Sequence, residues 1–271
     1  MNWRIPLFLL FIVAFWVFFS PPPILPQDEL WKRIDDGLSL IEMNSQKVTL
    51  IKIDPKYYSF KLLCASENNN PRMTARKWCQ RHNLISVINA GMFQADGMTN
   101  VGYMKNFNHI NSPRLNSRYK AVLAFNPFDA TVPEVQIIDL KCQDFERVRD
   151  KYQTLIQGIR MVSCQQENVW EKQDKMWSIA AFGIDKSGDG LFILAESPYS
   201  VHDFTNILLS LPVSLYNNMY LEGGPEATLY FSTNAVEFEK IGSYETRLKE
   251  DGFPKMARPI PNVIGIAKKF R

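Results

Sequence analysis

Two short segments of this chain end an apolar run on a polar side chain and follow it with glycine. In Tyr220-Leu221-Glu222-Gly223-Gly224-Pro225-Glu226-Ala227-Thr228, a strand-like run meets an acid and two glycines. Backbone without Cβ atoms lets a ligand approach closely, and its N–H groups can form a concavity for an anion. Glu222 and Glu226 are therefore candidates for acid–base work on that ligand. A plain strand and turn with both glutamates solvated fits the same residues. In Val87-Ile88-Asn89-Ala90-Gly91-Met92-Phe93, the break falls on Asn89 and Gly91. A carboxamide donates and accepts, which suits a phosphoryl oxygen or a sugar hydroxyl. Asn-x-Gly is also a common turn.

Arg160, in Gln157-Gly158-Ile159-Arg160-Met161, sits among apolar neighbours. A partly buried guanidinium needs an anion, either a bound phosphate or carboxylate or a structural ion pair. His202, in Tyr199-Ser200-Val201-His202-Asp203, falls in the first turn of an expected helix, facing a cleft or the solvent, and is a candidate for proton transfer. His82 and His109 have no ligand spacing and read as surface residues. The four cysteines, Cys64, Cys79, Cys142 and Cys164, have no CxxC spacing and only three histidines beside them, which speaks against a zinc cluster. In an oxidising compartment their short separations suggest Cys64 with Cys79 and Cys142 with Cys164; four free thiols are the alternative. GxSxG, P-loop, Rossmann and HExxH patterns are absent from the sequence, which weakens lipase, kinase, dehydrogenase and metalloprotease readings.

The elements that must position these residues are mostly strands. Runs of strand type cover Val48 to Ile53, Tyr57 to Leu63, Ile85 to Ile88, Ala121 to Phe125, Val135 to Leu140, Trp177 to Ile184, Leu191 to Ala195, Met219 to Leu221 and Val263 to Ile266. Helical patterns fall at Thr74 to Arg81, Asp144 to Tyr152 and Val201 to Leu211, the last with Ser200 as N-cap. The glycine-rich stretch from Ile184 to Leu191 reads as a hairpin turn. Strands and helices without regular βαβ alternation indicate α+β, a single mixed-sheet domain over residues 28–271.

Ahead of it, Ile5 to Phe19 is almost wholly apolar and is closed by Pro21, Pro22 and Pro23. This marks export, with residues 1–20 as a signal anchor or, alternatively, a cleaved signal peptide. Residues 21–27 form a stiff, proline-rich tether. The domain is then expected outside the cytoplasm, in the periplasm or outside the cell, attached to the membrane through the N-terminal segment. The chain has 271 residues, a formal charge of +3 and 13% aromatic residues. Its basic residues are scattered, so charge gives no support for nucleic-acid binding. The aromatic content suits a sheet-rich interior or a sugar-binding groove.

Taken in order, Asn89-Ala90-Gly91-Met92-Phe93, Gln157-Gly158-Ile159-Arg160-Met161-Val162, Phe182-Gly183-Ile184-Asp185 and Leu221-Glu222-Gly223-Gly224 resemble the successive signatures of the phosphodiester glycosidase family, over roughly residues 45 to 267. The resemblance implies hydrolysis of a sugar-1-phosphodiester, with a glycan or sugar-phosphate as substrate and no cofactor or metal. Arg160 would hold the phosphate, aided by Asn89 and the backbones of Gly91, Gly223 and Gly224. Glu222 would act as base or as stabiliser of positive charge at the anomeric carbon, with Glu226 in reserve and His202 in proton transfer. The family more often carries Asp-Gly-Gly where this chain has Glu222, a carboxylate about one methylene further out. A noncatalytic envelope protein that binds glycan or wall polymer in the same cleft is the rival reading.

Overall fold

The computed structural model describes residues 30–244 and 256–269. The expected anchor (1–20) and tether (21–27) lie outside the described residues. Among those described, no helix is long and apolar enough to cross a membrane.

Sixteen strands and three α-helices occur in the described residues. The chain begins with β1 (Lys32–Asp35), β2 (Leu38–Met43), β3 (Val48–Ile53) and β4 (Tyr58–Cys64), followed by helix α1 (Ala75–Arg81). Next come β5 (Ser86–Asn89), β6 (Met104–Asn106), β7 (His109–Ser112), β8 (Ala121–Pro127), β9 (Val135–Asp139) and helix α2 (Phe145–Val148). The second half holds β10 (Tyr152–Val162), β11 (Trp177–Asp185), β12 (Gly190–Tyr199), helix α3 (Val201–Ser210), β13 (Leu215–Gly223), β14 (Thr228–Ser232), β15 (Glu237–Ile241) and β16 (Asn262–Lys268).

These strands make two sheets. The larger runs β1-β2-β3-β12-β11-β13-β10-β6-β7, with β8 and β9 joined through β10, and the smaller runs β15-β14-β5-β16-β4. Each described ladder is antiparallel. In β4 the period of two is plain: Tyr58, Phe60, Leu62 and Cys64 turn inward, while the residues between are less buried. Between the sheets Phe60 packs against Phe182 and Phe192 with ring centroids 5.8 and 6.3 Å apart. Each such ring stabilises the fold by roughly 1.5–3 kcal/mol through burial, so Phe182→Ala, which also opens a cavity, costs about 3–5 kcal/mol.

Strand β11 lies on the path between β12 and β13, and all of it after Trp177 is buried. Its sequence is continuously apolar because one face meets the inter-sheet core and the other meets Val201, Phe204 and Leu208 of α3. Helix α3 starts where Ser200 Oγ accepts from the Asp203 N–H at 3.1 Å, and its C-cap Leu211 is extended ahead of Pro212.

The result is a mixed, sheet-dominated domain. The expected helix over Asp144 to Tyr152 is shorter: a 3₁₀ turn, Arg149–Lys151, follows α2, and Tyr152 opens the long strand β10. The buried Tyr152 hydroxyl donates to the Pro133 carbonyl at 2.7 Å, and β8 pairs along the strand, so tertiary pairing overrides helical pattern. The cysteine expectation is half right. Cys142 and Cys164 form a disulfide with their Cα atoms 6.6 Å apart, whereas Cys64 and Cys79 are free and buried. Cys64 lies in the inter-sheet core beside the Met104 sulfur at 3.8 Å; Cys79 lies on the buried face of α1, its thiol donating to the Leu84 carbonyl.

Candidate active site

Strand β13 carries Glu222 next to a bulge. Ala181 pairs with Tyr220 and Ala180 with Glu222, so one extra residue of β13 is accommodated between them. Glu222 is thereby set opposite Ala180, at the rim of the inter-sheet core, and is 9% exposed. Its Oε1 accepts from the Gly223 N–H at 2.9 Å. Burial, reinforced by the charge of Glu226 and only partly offset by that N–H, pushes the Glu222 carboxyl up to about 8. Burial thus favours the protonated acid, whereas the expected role as base calls for the ionised form.

The turn after Glu222 is shaped by its two glycines. A Cβ on Gly223 would collide with the Tyr220 hydroxyl and the Trp177 indole. Gly224 has φ +65°, and the half-exposed Tyr244 ring lies where its Cβ would be. Glu226 follows in a 3₁₀ turn and forms an ion pair with Arg258. Asn89, at the end of β5, holds this turn from below: its Nδ2 donates to the Glu226 carbonyl at 2.9 Å, and its Oδ1 accepts from the Thr228 N–H at 2.8 Å. On the other face of β13, Trp170 rests on the Tyr220 ring with centroids 5.4 Å apart. The result is two carboxyl groups, one cation and an aromatic wall around a glycine turn.

Strand β10 brings a loop to the same place. Thr154–Ile156 pair with β6 and Ile159–Val162 pair with β13. Between them the Gln157 N–H donates to the Tyr103 carbonyl at 2.8 Å. Continuing the β10–β13 register would put Gln157 opposite Glu222, so the loop ending at Tyr103 enters where β13 leaves β10. Asn100 fastens that loop: its Nδ2 donates to the Gly102 and Gln157 carbonyls at 3.0 and 3.4 Å. Gly91 packs directly against the Asn100 amide, whose Oδ1 is buried without a hydrogen-bond partner.

Two expected residues stand apart. Arg160 pairs in register with Met219, three positions before Glu222, about 10 Å along the strand. Its Nη1 donates to both oxygens of the Asp139 carboxylate, at 2.8 and 2.9 Å, and that carboxylate, 1% exposed, also accepts from the Lys141 and Cys164 N–H groups. This is a structural ion pair, the alternative that the sequence left open beside a phosphate-holding Arg160. The ring of His202 faces Asp203 and Asn206 at 3.2 and 3.4 Å. Among the described residues, no hydrogen bond or ion pair joins it to Glu222 or Glu226. Asp139, Cys142 and Cys164 form the one group of metal-binding type among the described residues, but the disulfide uses both sulfurs.

Arg258, Trp177 and Tyr244 escaped the sequence reading. Arg258 shows no motif beyond a following proline, and both aromatics resemble ordinary strand residues. Only Tyr220 was visible, as part of the strand leading into Glu222.

The sequence signature described as phosphodiester glycosidase matches residues 82–267. The chain belongs to the phosphodiester glycosidase family. Among solved structures it is similar to the zebrafish N-acetylglucosamine-1-phosphodiester alpha-N-acetylglucosaminidase catalytic domain auto-inhibited by pro-peptide, at 14% identity and a TM-score of 0.58 over 86% of this chain and 82% of that one. A hypothetical protein from Synechocystis aligns at 12% identity and a TM-score of 0.60 over 87% of this chain and 63% of that one. A putative exported protein from Burkholderia pseudomallei aligns at 10% identity and a TM-score of 0.52 over 84% and 74%. Comparison with curated protein sequences gives no match. At these identities the structural likeness concerns the fold. Asn89–Phe93 and Leu221–Gly224 both lie within the matched range, and Asn89 bonds the turn that bears Glu226.

Proposed function

We propose that this phosphodiester glycosidase family member hydrolyses a glycosyl phosphodiester, breaking the bond between the anomeric carbon and the phosphate oxygen. The observation that carries this reading is the Glu222 carboxyl, pushed up to about 8 beside the Glu226–Arg258 pair. Two acids in unlike environments take unlike roles. Glu222 donates its proton to the phosphate oxygen as the C1–O bond breaks. The Glu226 carboxylate takes a proton from the water that adds to the anomeric carbon. The products are a reducing sugar and a phosphomonoester, and proton return from Glu226 to Glu222 through solvent resets the site. Arg258, partly exposed and only partly engaged by Glu226, meets the phosphate in place of Arg160. Trp177 and Tyr244 offer aromatic surface to the sugar ring.

The chain works, on this reading, outside the cytoplasm and at the envelope. The Cys142–Cys164 disulfide supports an oxidising compartment, and the apolar run from Ile5 to Phe19 supports membrane attachment. The test is hydrolysis of a panel of sugar-1-phosphodiesters in isotope-labelled water. Label in the released sugar is the expected result. Label in the phosphate indicates cleavage on the phosphorus side and overturns the reading; ligand retention without any product supports the noncatalytic rival.

A further inference from the structure

A second cavity, of about 760 Å³, opens at the far end of β13 from Glu222. Tyr216 and Asn217 contribute to it from the first residues of β13, Gln136 from β9, Gln143 and Gln166 from the segments joined by the disulfide, and Lys186 from the β11–β12 turn. Asn217 precedes Glu222 by five positions, which places the cavity about 17 Å along the strand from the acid.

Its lining has the chemistry of a sugar site. Four side chains are primary amides: Gln136 and Gln143 are bonded to each other and to Tyr152 and the Asp139 N–H, which fixes them in the wall, and Gln166 is exposed beside them with donors and an acceptor for a hydroxyl. Charge is nearly balanced, because Lys186 and Asp185 both line the cavity, and Asp185 Oδ1 is already held by the Ser187 and Asp189 N–H groups at 2.8 and 2.9 Å. An anion would find one cation there and an acid beside it. Tyr216 is 39% exposed, giving a half-open aromatic face at the rim for the C–H side of a pyranose. Asn217 is 2% exposed, and its Nδ2 donates to the Ile137 carbonyl at 3.0 Å, leaving Oδ1 without a partner. An unpaired buried acceptor is uncommon, and this one, in a residue that lines the cavity, is reached by a partner only when the side chain turns outward. The wall is stiff: the disulfide lies in it, and the Asp139 carboxylate takes N–H groups from both Lys141 and Cys164. Little ordering is therefore lost on binding.

We infer that this cavity binds an uncharged oligosaccharide segment, as a holding site separate from Glu222. It does not depend on hydrolysis at Glu222. The test is affinity electrophoresis of the full chain in gels cast with dextran, mixed-linkage β-glucan, galactomannan or a uronic-acid polymer, with titration by glucose and N-acetylglucosamine oligomers. Retardation by at least one neutral glycan is expected, unaltered in about 0.5 M NaCl, where surface charge interactions are screened. Tyr216→Ala weakens it about tenfold, the equivalent of one lost stacking contact, and Gln166→Ala weakens it severalfold. Both side chains are exposed, so thermal melting of the variants matches the parent. Glu222→Gln keeps full retardation, and Tyr216→Ala keeps whatever hydrolysis of a small sugar-1-phosphodiester the parent shows. The inference is overturned if no neutral glycan retards the chain, if only the uronic-acid polymer does so, or if neither variant changes the mobility.

Discussion

The carboxamide of Asn89 closes on the backbone of Glu226 from the neighbouring sheet, donating to its carbonyl at 2.9 Å and accepting the Thr228 N–H at 2.8 Å two residues on. Asn89 is 1% exposed, so it serves as a brace for the turn that bears the acids and offers a ligand no free amide atom. Its sequence pattern marked the neighbourhood; the bracing contacts depend on the assembled strands. Removing the brace leaves two backbone groups unpaired. Asn89→Ala is expected to lower stability by roughly 2–4 kcal/mol, read by urea denaturation, and to cut kcat more than KM as Glu226 loses its position. Unchanged stability in this variant sinks the bracing role.

The acid at Glu222 makes a pH prediction. Folded, it keeps its proton up to about pH 8; unfolded, a glutamate loses it near the ordinary value of about 4.3. Between those limits the folded chain binds more protons, so this residue's contribution to stability falls as pH rises through that window and is flat above it. In Glu222→Gln that slope disappears, and thermal melting becomes less sensitive to pH between about 5 and 8. Turnover by the parent declines as pH rises through about 8, because the donor loses its proton. A rate that stays level from pH 7 to 9 counts against Glu222 as donor, and normal turnover by Glu222→Gln removes it from the chemistry.

Arg160 makes the opposite case, an arginine whose loss damages the fold. Arg160→Ala abandons the Asp139 carboxylate in a nearly closed site, at a cost of about 3–5 kcal/mol. Arg258→Ala is expected to reverse the pattern, with little change in melting, since its pair with Glu226 is partly exposed, and a KM for the phosphodiester raised severalfold. If Arg160→Ala were as stable as the parent and merely bound substrate worse, its assignment as a structural cation would be wrong.

The disulfide joins residues 22 apart, on either side of β10. Chain-entropy reasoning gives it a stabilisation of about 3 kcal/mol. Cys142→Ser or dithiothreitol should lower the melting temperature to a similar extent. Cys64 and Cys79, whose thiols burial pushes up, to about 12 for Cys79, should remain unmodified by iodoacetamide until the chain unfolds. Labelling of four thiols in the native, non-reduced protein would falsify the pairing.

What could be read from the sequence follows from where the information resides. The hairpin between β11 and β12 and the N-cap of α3 are local, written in Ser187, Gly188 and Ser200, and they form as expected. The pairing of Arg160 with Asp139 and of Glu226 with Arg258 joins residues 21 and 32 positions apart, and no short pattern marks either. Strand β10 was hidden for a similar reason. Gly158 and Arg160 interrupt its apolar run; Gly158 is required because a Cβ there would lie 2.8 Å from the Tyr220 carbonyl oxygen. Glu222 was legible as a carboxylate at a strand end, but its protonation is not, because burial is a property of the assembled sheets.

The loop entering beside Glu222 is closed on itself by the Phe93–Asn100 bridge, the Gln94 N–H to the Thr99 carbonyl oxygen, and an Asp96 carboxylate that accepts the Met98 and Thr99 N–H groups. Met98 ties the tip to both sheets, its carbonyl accepting from the Asn111 amide of β7 and the Asn262 amide of β16 at 3.1 Å each, while the residues ahead of it are shaped by the loop itself. Residues can therefore be inserted or exchanged between Gln94 and Asp96, ahead of that tie, while every ladder and the acid itself stay put. Selectivity can drift there, through divergence or by design, at little expense to the scaffold, which makes this tip the natural place to graft new preferences.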